Sequence, residues 1–285
     1  MNGKVNYICS VKRCFNDILR YLVLCVVTLA ACSSWGQATP PDKVVAHIES
    51  LPRQEALAKM SALLDDANAA GRKTYKSLLA SYEEMLSEPT WESHNEELFA
   101  TLIEHAATAS CLSENDRLRP RLLLEVVRKN AAGSVAHEID YETLDGEHRK
   151  LSEIATPYTL IYFNDPECLS CAKVKERLDT CTSLKQMVEC GNLTVLGIYP
   201  YDNTEEWHLE PFPSYIVNGR DYKQEVDGKQ TYDLMTMPVF YLLDSEKRVI
   251  VKNEASLNRV LKVLARLKGM ENSEIDAKLN AAWPK

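Results

Sequence analysis

The chain has 285 residues, 45% of them hydrophobic, and a formal net charge of −8, which is long for one domain and enough for two modest cores. Its surplus of acid repels phosphates and anionic lipid heads, arguing against a nucleic-acid partner and against membrane binding through a basic patch. Nine cysteines make thiol chemistry the first question to ask.

Residues 1–31 read as an export signal of the lipoprotein type. Lys4, Lys12, Arg13 and Arg20 precede "YLVLCVVTLAA" (21–31), an apolar run too short to span a bilayer and the right length for the hydrophobic part of a signal. It runs into "LAAC" (29–32), a lipobox pattern that makes Cys32 the lipidated first residue of the mature chain, with 32–41 as a linker. The small-x-small "GQA" (36–38) offers ordinary cleavage after Ala38 as the alternative. Losing residues 1–31 removes those four cations and Asp17, which takes the charge from −8 to −11. The cysteines that remain are Cys32, Cys111, Cys168, Cys171, Cys181 and Cys190. An exported chain can keep disulfides, so these thiols are read in redox terms first.

Residues 42–130 carry a helical pattern. "RKTYKSLLASYEEMLS" sets Leu78, Leu79, Tyr82, Met85 and Leu86 on one stripe, and "NEELFATLIEHAATAS" repeats it with Leu98, Leu102 and Ile103. Pro52 suits a first helical turn, Gly71 a helix end, and Ser113 with Asp116 an N-terminal cap for a helix through "RLLLEVVRKN". Four helices are expected. His47, His94 and His105 have no second ligand at a useful spacing, so no metal is assigned to them.

After the small-residue junction "NAAGSVAHE" (130–138) the pattern changes, and 134–270 is expected to form an α/β domain around one mixed sheet. "YTLIYF" (158–163), "LTVLGIYP" (193–200), "MPVFYLL" (237–243) and "RVIVK" (248–252) read as strands. One amphipathic helix is expected through "CAKVKERLDTCTSLKQMVEC", others near 203–209 and 229–235, and a last one with Leu257, Val260, Leu261 and Leu264 on its apolar face. Residues 271–285 are expected to extend the chain as a further helix.

The chemistry concentrates at "FNDPECLSC" (163–171). With a strand before it and a helix starting at the pair, Cys168 lies at a helix N-terminus, where backbone N–H groups and the dipole favour thiolate. Cys171 is then one turn away, a shielded thiol able to resolve a mixed disulfide formed by an exposed Cys168. Two other readings stay open. Cys168, Cys171, Cys181 and Cys190 offer four sulfurs to a metal, although eight residues between the last two is poor spacing for zinc. The pair can also be a plain crosslink. Cys181, Cys190 and Cys111 are expected to be packing residues. In "MTMPVFYLLD", Pro238 enters a strand, where it either starts the strand in trans or forms a cis Met237-Pro238 bond beside the sulfurs.

"LIYFNDPECLSC" followed by "MTMPVFYLLDSEKRVIVK" resembles the thioredoxin fold of TlpA-like envelope proteins, and "SVAHEIDYETLDGEHRKLSEI" is similar to their early β-hairpin. The chain as a whole resembles exported thioredoxin-like proteins of Bacteroides-type bacteria that carry an N-terminal helical domain of unknown function, over about residues 75–268. The resemblance implies Cys168 as attacking thiol, Cys171 as resolving thiol, and Met237 and Pro238 as the substrate-binding segment with a cis-proline. Two departures stand out: Tyr162 occupies the place of the buried aspartate of thioredoxin, and Glu167 that of a tryptophan, setting a carboxylate beside Cys168. The function expected is a thiol-disulfide oxidoreductase of the periplasm or outer membrane, lipid-anchored, reducing disulfides of envelope proteins without a cofactor or metal. The alternative is a non-catalytic thioredoxin-like scaffold with a structural Cys pair.

Overall fold

The computed structural model describes residues 40–89, 93–209, 212–234 and 236–269. The signal segment, Cys32 and the 271–285 extension lie outside them. The chain divides into one unit ending at Val45 and a second spanning Ala46–Lys285. Of the first, the described residues supply only the opening of helix α1 (Pro41–Glu49), where the N–H groups of Lys43 and Val44 bond to the Pro40 carbonyl.

Before the sheet, the described residues form five helices and not four. Besides α1 they are α2 (Arg53–Ala70), α3 (Arg72–Ser87), α4 (Glu96–Thr108) and α5 (Glu114–Arg128). The extra break falls at Leu51-Pro52, because a residue before proline is pushed out of helical geometry. Pro52 is accordingly the N-cap of α2 and not part of its first turn. Gly71, at φ 101°, ends α2 and lets α3 begin one residue later. Ser113 and Asp116 close the expected capping box on α5. The apolar stripes meet as expected, with Leu64, Tyr75, Leu86, Leu102 and Ile103 buried. His105 is spent on structure, its ring nitrogens bonded to the Tyr75 hydroxyl at 2.7 Å and to Asp65 at 3.0 Å.

Seven strands build one mixed sheet in the order β2-β1-β5-β4-β3-β6-β7. They are β1 (Asp140–Thr143), β2 (His148–Lys150), β3 (Tyr158–Phe163), β4 (Leu193–Tyr199), β5 (Ile216–Arg220), β6 (Val239–Leu243) and β7 (Val249–Glu254). β3, β4 and β5 run parallel; β1, β6 and β7 pair antiparallel with their neighbours. β3 is buried on both faces. Leu160 and Tyr162 enter one core with α10 (Leu257–Leu267), while Ile161 and Phe163 enter the other with Tyr141, Tyr232 and Tyr241. That two-sided burial is why "YTLIYF" is apolar throughout and not alternating.

Three expectations for this region need correction. The helix through 171–190 is two helices, α6 (Leu169–Thr180) and α7 (Thr182–Glu189), broken at Cys181 (ψ 85°). The Thr-Cys-Thr-Ser sequence there has weak helix propensity, and the break lets Cys181, Leu184 and Met187 all reach the core. No helix occupies the described part of 229–235; the helical turn is α9 (Glu225–Gly228), one turn earlier, while α8 (Thr204–His208) lies where expected. β5 was not anticipated, because Asn218 and Gly219 interrupt its apolar run.

Candidate active site

The sheet positions the Cys pair. From β3 the chain crosses through α6 and α7 to parallel β4, whereas the other neighbour of β3 is β6, so the C-terminal end of β3 opens at a point where strand order reverses. Crevices outside such ends are where open α/β sheets bind ligands. The loop Asn164–Glu167 leaves β3 there and delivers Cys168 as N-cap of α6.

At that cap the Cys168 sulfur replaces the usual serine or aspartate oxygen. It accepts the Cys171 N–H at 3.1 Å, and its thiol donates to the Met237 carbonyl at 3.6 Å. The Met237-Pro238 peptide is cis. Met237 is half-buried, Pro238 buried and Cys168 half-buried, so sulfur and Met237 carbonyl share one partly open face. Leu169, between the cysteines, is 83% exposed.

Cys171 has the opposite environment. It is buried, and its thiol is pushed far above the ordinary range, first by that burial and then by its hydrogen bond with Cys168. Tyr162, standing where thioredoxin has its aspartate, is fully buried, stacked on Phe240 with ring centroids 5.0 Å apart, and its hydroxyl donates to the Cys171 carbonyl at 3.0 Å. Burial drives the phenol pKa far up, so it remains a neutral hydrogen-bond donor. Glu167 turns its side chain to solvent, while its N–H donates to Asp165 Oδ1 at 2.9 Å.

The other cysteines do not join the pair. Cys181 is buried in the core beside α7, as expected of a packing residue, and burial raises its thiol pKa. Cys190 is exposed at the end of α7, which corrects the expectation that it packs. Cys111 is half-buried after α4. All five are free thiols, and among the described residues no three His, Cys, Asp or Glu side chains converge as metal ligands. Sequence reasoning passed over Asp165. The signal available was its position three residues before Cys168, in the loop that must cross the mouth of the crevice.

No family model matches the chain, and no curated protein does. Among solved structures it is similar to a thioredoxin-like protein from Bacteroides caccae, at 28% identity and a TM-score of 0.72, over 78% of this chain and 80% of that one. That alignment is too long for the sheet region alone. A conserved protein of unknown function from Bacteroides fragilis is 34% identical over 47% of this chain and 98% of its own, with a TM-score of 0.45. The thioredoxin domain of a thiol-disulfide oxidoreductase from Bacteroides vulgatus is 26% identical over 47% of this chain and 97% of its own, with a TM-score of 0.39. The fold is thioredoxin-like, preceded by a helical region.

Proposed function

We infer that this thioredoxin-like chain is an envelope thiol-disulfide oxidoreductase that reduces disulfides of envelope proteins and is held to the membrane through lipidated Cys32. The observation that carries the reading is the Cys168 sulfur, capping α6 and facing the Met237 carbonyl, with a second thiol one turn behind it. The Cys168 sulfur, which accepts the Cys171 N–H at 3.1 Å, is the nucleophile when it is a thiolate. It attacks one sulfur of a substrate disulfide, giving a Cys168-substrate bond and one released thiolate. Cys171 then attacks the Cys168 sulfur, the Cys168-Cys171 bond forms and the second substrate thiolate leaves. Two electrons pass from the pair to the substrate, and a dithiol donor regenerates the pair. Met237 and Pro238 are the wall on which an extended substrate segment lies.

Trapping tests the exchange. Cys171→Ser should accumulate mixed disulfides with envelope proteins that dithiothreitol releases, and the Cys168→Ser, Cys171→Ser double variant should accumulate none. Non-reducing gels without trapped species, or with the same species in both variants, would favour the scaffold with a structural crosslink. The anchor is tested separately by fractionation. Two or more acyl chains hold a protein to a bilayer durably, so Cys32→Ala should move the protein from the membrane fraction to the soluble one. Wild type already in the soluble fraction would point to cleavage after Ala38, which removes Cys32, and a variant still in the membrane fraction would mean that Cys32 is not the anchor.

A further inference from the structure

The helical region ends on a residue that reaches the segment leading to Met237. Helix α5 finishes at Arg128 with Lys129 as its C-cap, and Asn130 follows at φ 51°, a left-handed conformation that asparagine adopts more readily than most residues. That accounts for an asparagine here, but not for where its amide goes. Asn130 is 3% exposed, and both ends of the amide are used. Its Oδ1 accepts the His137 backbone N–H at 2.8 Å and lies 3.0 Å from the His137 ring Nδ1. A backbone N–H can only donate, so the amide cannot be turned over, and its Nδ2 must face the Thr231 carbonyl, which accepts at 2.9 Å.

Thr231 belongs to a segment held throughout from this side. Lys129 Nζ donates to the carbonyls of Lys229 at 3.2 Å and Gln230 at 2.8 Å, so three successive carbonyls hang from two successive side chains. Tyr232 comes next, buried, its ring 5.0 Å from that of Phe163 and 4.9 Å from that of Tyr241, and its hydroxyl donates to the His137 carbonyl at 2.5 Å. The Asp233 N–H then donates to the Tyr241 hydroxyl at 3.3 Å. Phe163 pairs with Val239 at the start of β6. Met237 is therefore fixed from two directions, by the strand that follows it and by residues 229–233 before it. Lys129 is half-buried, where water can stand in for its ammonium, whereas the buried Asn130 amide leaves Thr231 no such substitute.

We propose that Asn130 is a positioning residue for the exchange inferred above, on which its role rests. It holds Thr231 so that the Met237 carbonyl and Pro238 stand where an extended peptide segment of the substrate can lie beside Cys168. The helical region thereby takes part in substrate recognition without touching the substrate. Losing the Thr231 bond frees the segment upstream of Met237 and leaves Cys168, Cys171 and the α6 cap as they are. The change falls on a substrate that has a backbone to place, and not on the sulfur chemistry.

Two disulfides, each mixed with the reduced protein, separate these effects: a disulfide-linked dimer of a short peptide that fluoresces on reduction, and a small aryl disulfide with no backbone to lay on the wall. Asn130→Gly keeps the left-handed backbone and removes the amide. Asn130→Asp keeps the acceptor for the His137 N–H and removes the amide donor to Thr231. In both, the peptide concentration that gives half the limiting rate should rise about fivefold, what one neutral hydrogen bond contributes. The limiting rate and the aryl-disulfide rate should stay as in the wild type. Ile103→Val, which loosens the buried core of α4 away from the segment, should change none of the three. Peptide half-saturation unchanged in both Asn130 variants overturns the proposal. So does slowing of both disulfides in the same proportion, or a rise in Ile103→Val equal to that in Asn130→Gly. A wild type that reduces neither disulfide would instead defeat the exchange inferred for the pair, and the role of Asn130 with it.

Discussion

At the scale of single residues, Tyr162 shows how a substitution in a core strand changes what the site can do. An acid at this position would have been a proton carrier beneath Cys171; a tyrosine places a donor there, and its hydroxyl joins β3 to the first turn of α6 through the Cys171 carbonyl. The bond is buried, and a neutral hydrogen bond of this kind contributes roughly 0.5–1.5 kcal/mol net. Tyr162→Phe keeps the stacking on Phe240 and removes only the bond. It should lower the urea unfolding free energy by about that amount while leaving the rate of Cys168 alkylation as in the wild type. A fall in alkylation rate with no loss of stability would mean that the hydroxyl acts on the sulfurs and not on the packing. The sequence announces the tyrosine at this position, but not its partner. That depends on which face of β3 lies under α6, and apolar residues on both faces hide the phase of the strand.

At the scale of elements, legibility depends on how strongly each segment commits to one period. β3, β4 and β6 are apolar runs bounded by polar or turn residues, and they appear within two residues of where the sequence puts them. Helix α10 appears with Leu257, Val260, Leu261 and Leu264 buried, the four residues its pattern names. β5 was hidden because its interior is written in residues that strands avoid, each with a tertiary reason. Asn218 is buried to accept the Trp207 indole N–H at 2.7 Å. Gly219 leaves room for the Tyr141 ring, which a Cβ there would meet at 2.9 Å. The break at Cys181 escaped for a related reason, since two short amphipathic helices in sequence present nearly the pattern of one long helix. The Cys pair itself was readable because it needs only local geometry, a strand end and a helix start. The place of Asp165, whose carbonyl accepts the Cys168 N–H at 3.1 Å, was not, because it depends on how the loop folds back.

At the scale of the molecule, the helical region and the sheet region read as separate domains in sequence, yet within Ala46–Lys285 polar contacts run between them. Lys252 on β7 is 6% exposed at its side chain; it donates to the Val127 carbonyl of α5 at 2.7 Å and pairs with Glu96 of α4 at 2.9 Å. Asn253 donates to the same carboxylate at 2.9 Å, and Asn130 donates to the Thr231 carbonyl at 2.9 Å. Breaking a buried pair by removing one partner leaves a charge without its counterpart, at a cost of about 3–5 kcal/mol. Lys252→Ala should therefore destabilise strongly, with Asn253 still holding Glu96 and keeping the loss toward the lower end. The double variant Glu96→Gln, Lys252→Met removes both charges and should recover much of it, because two desolvated ions are exchanged for a neutral pair of similar size. Hydrogen exchange distinguishes coupling from mere contact. If the two regions open together, amides of α4 and of β3 should lose protection equally in Lys252→Ala. Protection lost in α4 alone, with β3 unchanged, would mean that the helices are a separately folding appendage, and that the Cys pair stands on the sheet by itself.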